Sequence, residues 1–323
     1  MVQIHFEGKT IDLKPGETLL QALVRARANP SYSCVAGLCH SCLLQAQSGT
    51  IPRAAQVGLS PDQCQQDLLL ACQCRPESPL TVRRPHSARR TDAMVSGIRA
   101  LSPAIMELRL SPRSPISYQA GQHIDLWHGP YLTRHYSLAS VPALDSDLLF
   151  HIQAVPGGQF SHWVHTQAEV GSLLQLGSAQ GDCRYGSPQP GAPLLLIGSG
   201  SGLGPLYGLL RDALNQLHRG PIELLHLARD EHHLYLQDEL IQLARQHPNL
   251  RYSSLVGPVE ALAPLLDAAI DRCDQRRAQA YLCGASRLVT EATRRLRDAG
   301  LNESQIHSDT FDAQQLDSLP DPI

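Results

Sequence analysis

Residues 31–42 read SYSCVAGLCHSC and residues 69–76 read LLACQCRP. Cys34, Cys39 and Cys42 stand at C-x4-C-x2-C, Cys72 follows after 29 intervening residues, and Cys74 stands two beyond it. A tight loop that brings three thiolates to one side, with a fourth arriving from a distant strand end, suits two irons bridged by sulfides. Gly37 lets the loop backbone pass close to such a cluster, so that amides can point at the sulfurs. Four cysteines can also hold zinc. Zinc pairs usually come as two short knuckles, however, and here one loop holds three of the cysteines.

Outward from that loop, six of the nine cysteines fall in the first 74 residues: Cys34, Cys39, Cys42, Cys64, Cys72 and Cys74. The N-terminal MVQIHF lacks the basic, apolar and small-residue pattern of a signal peptide, and the longest apolar run, 192–197, is far short of a membrane span. The expectation is a cytoplasmic protein whose thiols are reduced, so the cluster of cysteines reads as metal ligation rather than a disulfide framework. A net charge of -3 argues against nucleic-acid binding, although residues 1–85 are mildly basic.

With 323 residues the chain is long enough for two or three domains. Residues 2–6 and 10–13 alternate around Glu7-Gly8-Lys9 as a hairpin, and Leu19, Leu20, Leu23 and Val24 share one face of a helix expected over 18–28. Strands are expected at 43–46 and 80–82. The stretch RRPHSARRT at 83–91 reads as a linker. Short segments at 93–98, 105–110, 123–127, 135–139, 148–154 and 173–176 then recur between turn signals, as in an antiparallel barrel. After Pro190-Gly191 a buried strand at 194–197, a glycine-rich turn, a helix over about 205–218 and a strand at 222–227 open an α/β pattern with a mostly parallel sheet. The expected organisation is a first domain over 1–85, a linker at 86–92, a barrel domain over 93–190, an α/β domain over 191–311, and a tail at 312–323.

The segment 1–85, through SYSCVAGLCHSC and LLACQCRP, resembles the plant-type [2Fe-2S] ferredoxin domain of bacterial ring-hydroxylating and related oxygenase reductases. The resemblance implies a β-grasp-like domain and, by family spacing, Cys72 rather than Cys74 as the fourth ligand. Cys64 and Cys74 then read as small buried residues. His40 departs from the family, which often has Gly there. Arg134-His135-Tyr136-Ser137 resembles the R-x-Y-S pattern of the ferredoxin-NADP reductase superfamily. There Arg134 would neutralise the flavin pyrophosphate, Tyr136 pack on the isoalloxazine, and Ser137 hydrogen-bond near N5. About 20 residues on, Pro156-Gly157-Gly158-Gln159-Phe160-Ser161 resembles the PGG-x-x-[ST] turn, with Gly158 and Ser161 offering backbone amides and a hydroxyl to phosphate.

Residues 198–205, GSGSGLGP, follow the apolar strand and resemble the superfamily's nicotinamide-nucleotide turn, with Gly200, Ser201, Gly202 and Pro205 in the matching places of a Rossmann-like domain. Tyr281-Leu282-Cys283-Gly284 resembles the strand end whose Cys283 and Gly284 border the nicotinamide, and Phe311 matches the aromatic residue that covers the flavin face. Asp230 and Glu231 after the strand LLHLA would repel a 2′-phosphate and accept a free ribose hydroxyl, which favours NADH over NADPH. Arg229 argues the other way, and the acidic pair also suits a helix cap.

Together the resemblance implies an iron–sulfur flavoprotein reductase. Hydride would pass from the nicotinamide to FAD, and single electrons would pass on to the [2Fe-2S] cluster and a protein acceptor. FAD rather than FMN follows from the resemblance alone. The implied acceptor is an oxygenase component or its ferredoxin, served by a monomeric reductase with no membrane or nucleic-acid partner. A reductase for a radical deoxysugar dehydratase shares the same plan. A metal-stabilised regulatory interaction module is the competing reading from another class, and the intact R-x-Y-S, PGG and GSG motifs argue against it.

Overall fold

The structure is a computed structural model that describes residues 2–28, 30, 32, 35, 37, 42–85, 90–129, 132–186 and 190–311. Cys34, Cys39, His40, residues 86–89 of the expected linker and the tail 312–323 lie outside the described residues. Two compact units divide the chain, one of residues up to 90 with 127–135, the other of 91–126 with 136–311.

The first unit holds a mixed sheet of β1 (Gln3–Phe6), β2 (Lys9–Asp12), β3 (Leu43–Ser48), β4 (Leu68–Leu70) and β5 (Leu80–Arg83), with α1 (Leu19–Arg25) and α2 (Pro61–Gln65). The sheet order is β2-β1-β5-β3-β4, with β1 and β5 parallel and the other pairs antiparallel. The β1–β2 hairpin turns through Glu7 and Gly8, both at positive φ, the backbone a two-residue hairpin requires. Thr18 and Gln21 form a reciprocal capping box that starts α1. Arg27 at φ +51 then ends it, and α1 is shorter than the expected 18–28. Leu19, Leu20 and Leu23 are fully buried against the sheet, a gain of roughly 1.5–3 kcal/mol for each side chain. A sheet of this order with α1 packed on it is the β-grasp-like arrangement expected.

The second sheet is built from β6 (Thr91–Ser102), β7 (Ile105–Pro112), β8 (His123–His128), β9 (Leu132–Ser137), β10 (Leu148–Gln153) and β11 (Leu173–Leu176), in the order β10-β7-β6-β11-β8-β9. A bridge between Leu138 and Phe150 joins the end of β9 back to β10, so the six strands close into the expected barrel. The strand expected at 93–98 runs instead over all of β6. Register shifts at Val95/Gly97 and Ala100/Ser102 break its alternation, which hides the strand from a period-two reading.

The third sheet is fully parallel. Its strands β12 (Leu194–Ser199), β13 (Ile222–Ala228), β14 (Leu250–Val256), β15 (Gln279–Gly284) and β16 (Ile306–Thr310) take the order β14-β13-β12-β15-β16. Leu194 and Leu196 bury against α4 (Leu203–Asn215), while Leu195 and Ile197 bury on the other face with Leu288 and Leu296 of α7 (Ser286–Asp298). Both faces are covered, which explains why β12 reads as an unbroken apolar run. Strand order reverses between β12 and β15, and in open α/β sheets ligands bind at the carboxyl ends of strands flanking such a point. Among the described residues, no helix is long and apolar enough to cross a membrane.

Two buried histidines make this unit acid-sensitive. His151 on β10 meets the Tyr235 hydroxyl at 3.1 Å. Burial holds it down to about 4, Arg99 and Arg211 push the same way, and Glu107 opposes them. Burial also holds His226 on β13 down to about 4. Between that value and the ordinary 6.5 the unfolded chain binds protons that the folded chain refuses. Stability is therefore full above 6.5 and is lost as pH falls toward 4, by roughly 1.4 kcal/mol per pH unit for each histidine. Denaturant unfolding measured between pH 6.5 and 5 is expected to show this slope, reduced by one histidine's share in His151→Gln. An unchanged slope in that variant would refute the assignment.

Candidate active site

The β3–β4 register, Leu43 opposite Leu70, carries Cys42 and Cys72 to the same end of the first sheet. Their sulfurs stand 3.2 Å apart, and the Cys72 amide is 3.5 Å from the Cys42 sulfur. Gly37 has φ +80, and a Cβ there would lie 3.0 Å from Gln73 Cγ, so the loop backbone lies directly against the segment that bears Cys72. The Gln73 amide in turn reaches the Val35 carbonyl at 3.4 Å and the Cys72 sulfur at 3.6 Å. Cys74 instead lies in the apolar core with Leu19 and Leu20, and its carbonyl accepts the Leu19 amide. Cys64 is half-buried on α2. Of the two candidates for a fourth ligand, only Cys72 is brought against Cys42 in this way.

Strand β9 carries Arg134, Tyr136 and Ser137. Arg134 donates to the Thr133 carbonyl at 2.7 Å. The Tyr136 ring is half-buried, its centroid 5.2 Å from that of Phe160 on α3 (Gln159–Thr166). Gly158 precedes α3, and a Cβ there would lie 2.7 Å from Ser161 Oγ, so no other residue fits without a shift. The Ser161 hydroxyl donates to the Gly158 carbonyl and accepts the Val155 amide, which makes it the clasp of this turn. The groups left to face a phosphate are the backbone amides that open α3.

At the carboxyl end of the parallel sheet, β12 passes through a 3₁₀ turn, Gly200–Gly202, into α4. Gly200 takes φ +53, and a Cβ on Gly202 would lie 2.2 Å from the Cys283 carbonyl oxygen. Gly198 pairs with Cys283 and Cys283 pairs with Asp309 across the three strands β12, β15 and β16. The Phe311 amide donates to the Gly284 carbonyl at 2.8 Å, which holds the half-buried Phe311 at the same edge. Ser137 Oγ donates to Asp309 Oδ2 at 2.7 Å. Ser137, Cys283 and Phe311 are thus brought together, and Asp309 with them. Sequence reasoning missed Asp309. Its signal is faint: one carboxylate in the alternating strand IHSDTF, two places before Phe311. Burial, then the neighbouring Cys183 thiol, push Cys283 well up, so it is a thiol rather than a thiolate at neutral pH.

Asp230 caps the 3₁₀ turn Glu231–His233. It accepts the His232 amide at 3.0 Å and meets His233 Nδ1 at 2.6 Å. The His233 hydrogen bond is the largest of the effects that lower its pKa. A cavity of about 890 Å³ is lined on one side by the turn 156–158 and Ser161, on the other by Arg229 and Asp230.

The residues present fit an iron–sulfur cluster and two nucleotides. Cys42 and Cys72 converge, and glycines at 158 and 202 let their turns pack tightly against Ser161 and Cys283 where α3 and α4 open, which leaves helix-start backbone amides of the kind that hold phosphate. Comparison with known families agrees. A 2Fe-2S iron–sulfur cluster binding domain matches residues 2–77, an oxidoreductase FAD-binding domain matches 94–185, and an oxidoreductase NAD-binding domain matches 196–294. The chain is an iron–sulfur flavoprotein of the ferredoxin-NAD(P) reductase type.

The reductase is 29% identical over 323 residues to the ferredoxin–NAD(P)(+) reductase component of the naphthalene 1,2-dioxygenase/salicylate 5-hydroxylase systems of Ralstonia sp, covering 96% of each chain. It is also 29% identical to the reductase subunit of the aromatic O-demethylase of Amycolatopsis sp., covering 94% of this chain and 96% of that one. The crystal structure of the Amycolatopsis cytochrome P450 reductase superposes with a TM-score of 0.66 at 27% identity, over 97% of this chain and 99% of that chain. The ferredoxin reductase in carbazole 1,9a-dioxygenase superposes with a TM-score of 0.64, over 96% and 98%, and at 24% identity it speaks for the fold alone.

Proposed function

We propose that the reductase draws on NADH in preference to NADPH and delivers its electrons to an oxygenase component or that component's ferredoxin, as a cytoplasmic monomer. When bound, FAD takes up a hydride from the nicotinamide and hands its two electrons singly to the [2Fe-2S] cluster. The observation that carries the reading is the register across β12, β15 and β16, which sets Gly198, Cys283 and Asp309 side by side, with Ser137 bonded to Asp309. The names of the full-length relatives, reductase parts of naphthalene, salicylate and aromatic O-demethylation systems, support the choice of acceptor. The three domains are proposed to run over 1–85, 93–190 and 191–311, with a linker at 86–92 and a tail at 312–323.

In this account Cys34, Cys39, Cys42 and Cys72 ligate the cluster. Arg134 neutralises the flavin pyrophosphate, Tyr136 packs on the ring system, and the turn at Gly158, closed by Ser161, presents amides to phosphate. Gly200, Ser201 and Gly202 give the nicotinamide nucleotide its close approach. Ser137, Cys283, Gly284 and Phe311 orient the reacting rings and exclude water from them, and the Asp309 carboxylate, which accepts the Ser137 proton, fixes the orientation of the Ser137 side chain.

Coenzyme choice falls to Asp230. His233 keeps its carboxylate charged, so a 2′-phosphate meets a like charge, and Arg229 beside it offsets only part of that. kcat/KM is expected to be larger with NADH than with NADPH. Asp230→Asn is expected to raise the NADPH-to-NADH ratio about tenfold, equivalent to about 1.4 kcal/mol. A wild-type preference for NADPH would overturn this reading.

A further inference from the structure

Cys183 and Cys283 lie 100 residues apart in the chain, and their sulfurs are 3.5 Å apart in the interior of the second unit. Neither the hydride path nor the electron path uses Cys183. Its backbone packs closely against Gly121, where an added Cβ would meet the Cys183 carbonyl oxygen. Cys283 is fixed by parallel pairing on both sides, to Gly198 and to Asp309. With the sulfurs already in contact, the gap left to a bond of about 2.05 Å is short. The third cysteine of this unit, Cys273, packs in the core on the opposite face of the parallel sheet and has no such partner in that cluster.

We propose that Cys183 and Cys283 form a reversible disulfide that switches the reductase off. The oxidant is hydrogen peroxide, a small uncharged molecule that can enter a buried site and that arises whenever electrons from a reduced flavin leak to dioxygen. Cys183 reacts first, because it keeps 5% exposure where Cys283 keeps none. Its sulfur breaks the peroxide O–O bond and becomes a sulfenic acid, and one water leaves. The Cys283 sulfur then attacks that sulfur, the S–S bond forms, and the hydroxyl departs with the Cys283 proton as a second water. Two thiols are oxidised and one peroxide is reduced, and a dithiol reverses the change. Both thiols are buried, so bulky disulfides in bulk solvent do not reach the pair. The bridge ties the segment that leaves the barrel to β15 and takes the Cys283 thiol from the nicotinamide edge. This last consequence rests on the proposed place of Cys283 beside the nicotinamide.

The test uses the FAD- and cluster-loaded reductase, treated anaerobically with a few equivalents of hydrogen peroxide and then alkylated. Mass spectrometry of a non-reducing digest is expected to find the Cys183 and Cys283 peptides joined, with a mass about 2 Da below their sum. The rate of flavin bleaching by NADH is expected to fall at least tenfold in step with the bridge and to recover with dithiothreitol. Cys183→Ala and Cys183→Ser are expected to keep their rate after peroxide, and Cys273→Ala to lose it as the wild type does. If both thiols still alkylate, or Cys183 is oxidised without a joined peptide, the bridge is refuted while the place of Cys283 stands. A bridge that forms with the bleaching rate unchanged refutes both the switch and that place.

Discussion

Replacing Cys72 with serine is expected to remove the [2Fe-2S] spectrum and to cut electron delivery to a protein acceptor by at least a hundredfold, while NADH-driven bleaching of the flavin stays within about threefold of wild type. The reason is geometric. Cys72 is the described cysteine whose sulfur meets Cys42, at 3.2 Å, and β3–β4 pairing fixes both backbones. A serine hydroxyl is a poor match for iron that prefers thiolate sulfur, and a cluster held at three points is readily lost. The flavin and nicotinamide sites belong to other segments, so hydride uptake continues and electrons have no outlet through the cluster. Cys74→Ser makes the contrast. Cys74 is fully buried among Leu19, Leu20 and Leu69, so serine there puts an unpartnered hydroxyl in an apolar core at a cost of about 1–3 kcal/mol. That variant is expected to keep the cluster and lose stability. The opposite pattern, with cluster kept in Cys72→Ser and lost in Cys74→Ser, would make Cys74 the ligand.

Ser137→Ala is expected to slow flavin bleaching by NADH about a hundredfold, with nucleotide binding nearly unchanged. Ser137 is buried, and its hydroxyl points along a 2.7 Å hydrogen bond to Asp309. The pair joins β9 to β16, and in the proposed site it sets the alignment of the groups between which hydride would pass. Small misplacement at such a point costs orders of magnitude in rate, because the reacting atoms leave their near-attack distance. Asp309→Asn is expected to cost less, since an amide oxygen still accepts the serine proton, whereas Asp309→Ala is expected to approach Ser137→Ala. Two residues acting as one unit are strongly non-additive. The double variant Ser137→Ala/Asp309→Ala should therefore be little slower than Ser137→Ala alone. Stopped-flow reduction of the four proteins decides the matter, and additive losses would show that the two side chains act independently.

Much of this arrangement was legible in the sequence because punctuated motifs and apolar periodicity carry it. The run at 194–197 predicts a buried strand, and glycines at 198–202 predict the turn after it; the structure has both. Boundaries were less legible where local geometry departs from a regular period. α4 begins at Leu203 rather than at 205, since proline is tolerated in a first helical turn. β9 begins at Leu132 rather than at 135. Side-chain direction was not legible at all. Ser161 reads as a hydroxyl offered to phosphate, yet it turns inward to close its own loop. Asp230 is the exception: the acidic pair already suits a cap, and Asp230 caps the turn that follows. Asp309 and Cys183 belong to no short motif. Each acquires its meaning from a partner more than 90 residues away, Ser137 in one case and Cys283 in the other, and one sequence without its fold carries no record of such a pairing.

Electrons are proposed to follow one path within the chain, from NADH through flavin to a ferredoxin-type cluster. An anaerobic visible titration of the purified protein, with iron, zinc and flavin quantified beforehand, tests it most directly. Two irons and one flavin per chain are expected, and stoichiometric NADH should bleach the flavin and iron–sulfur bands together. A colourless protein that holds zinc, or a flavin band that bleaches while the iron–sulfur band stays unchanged, would contradict it.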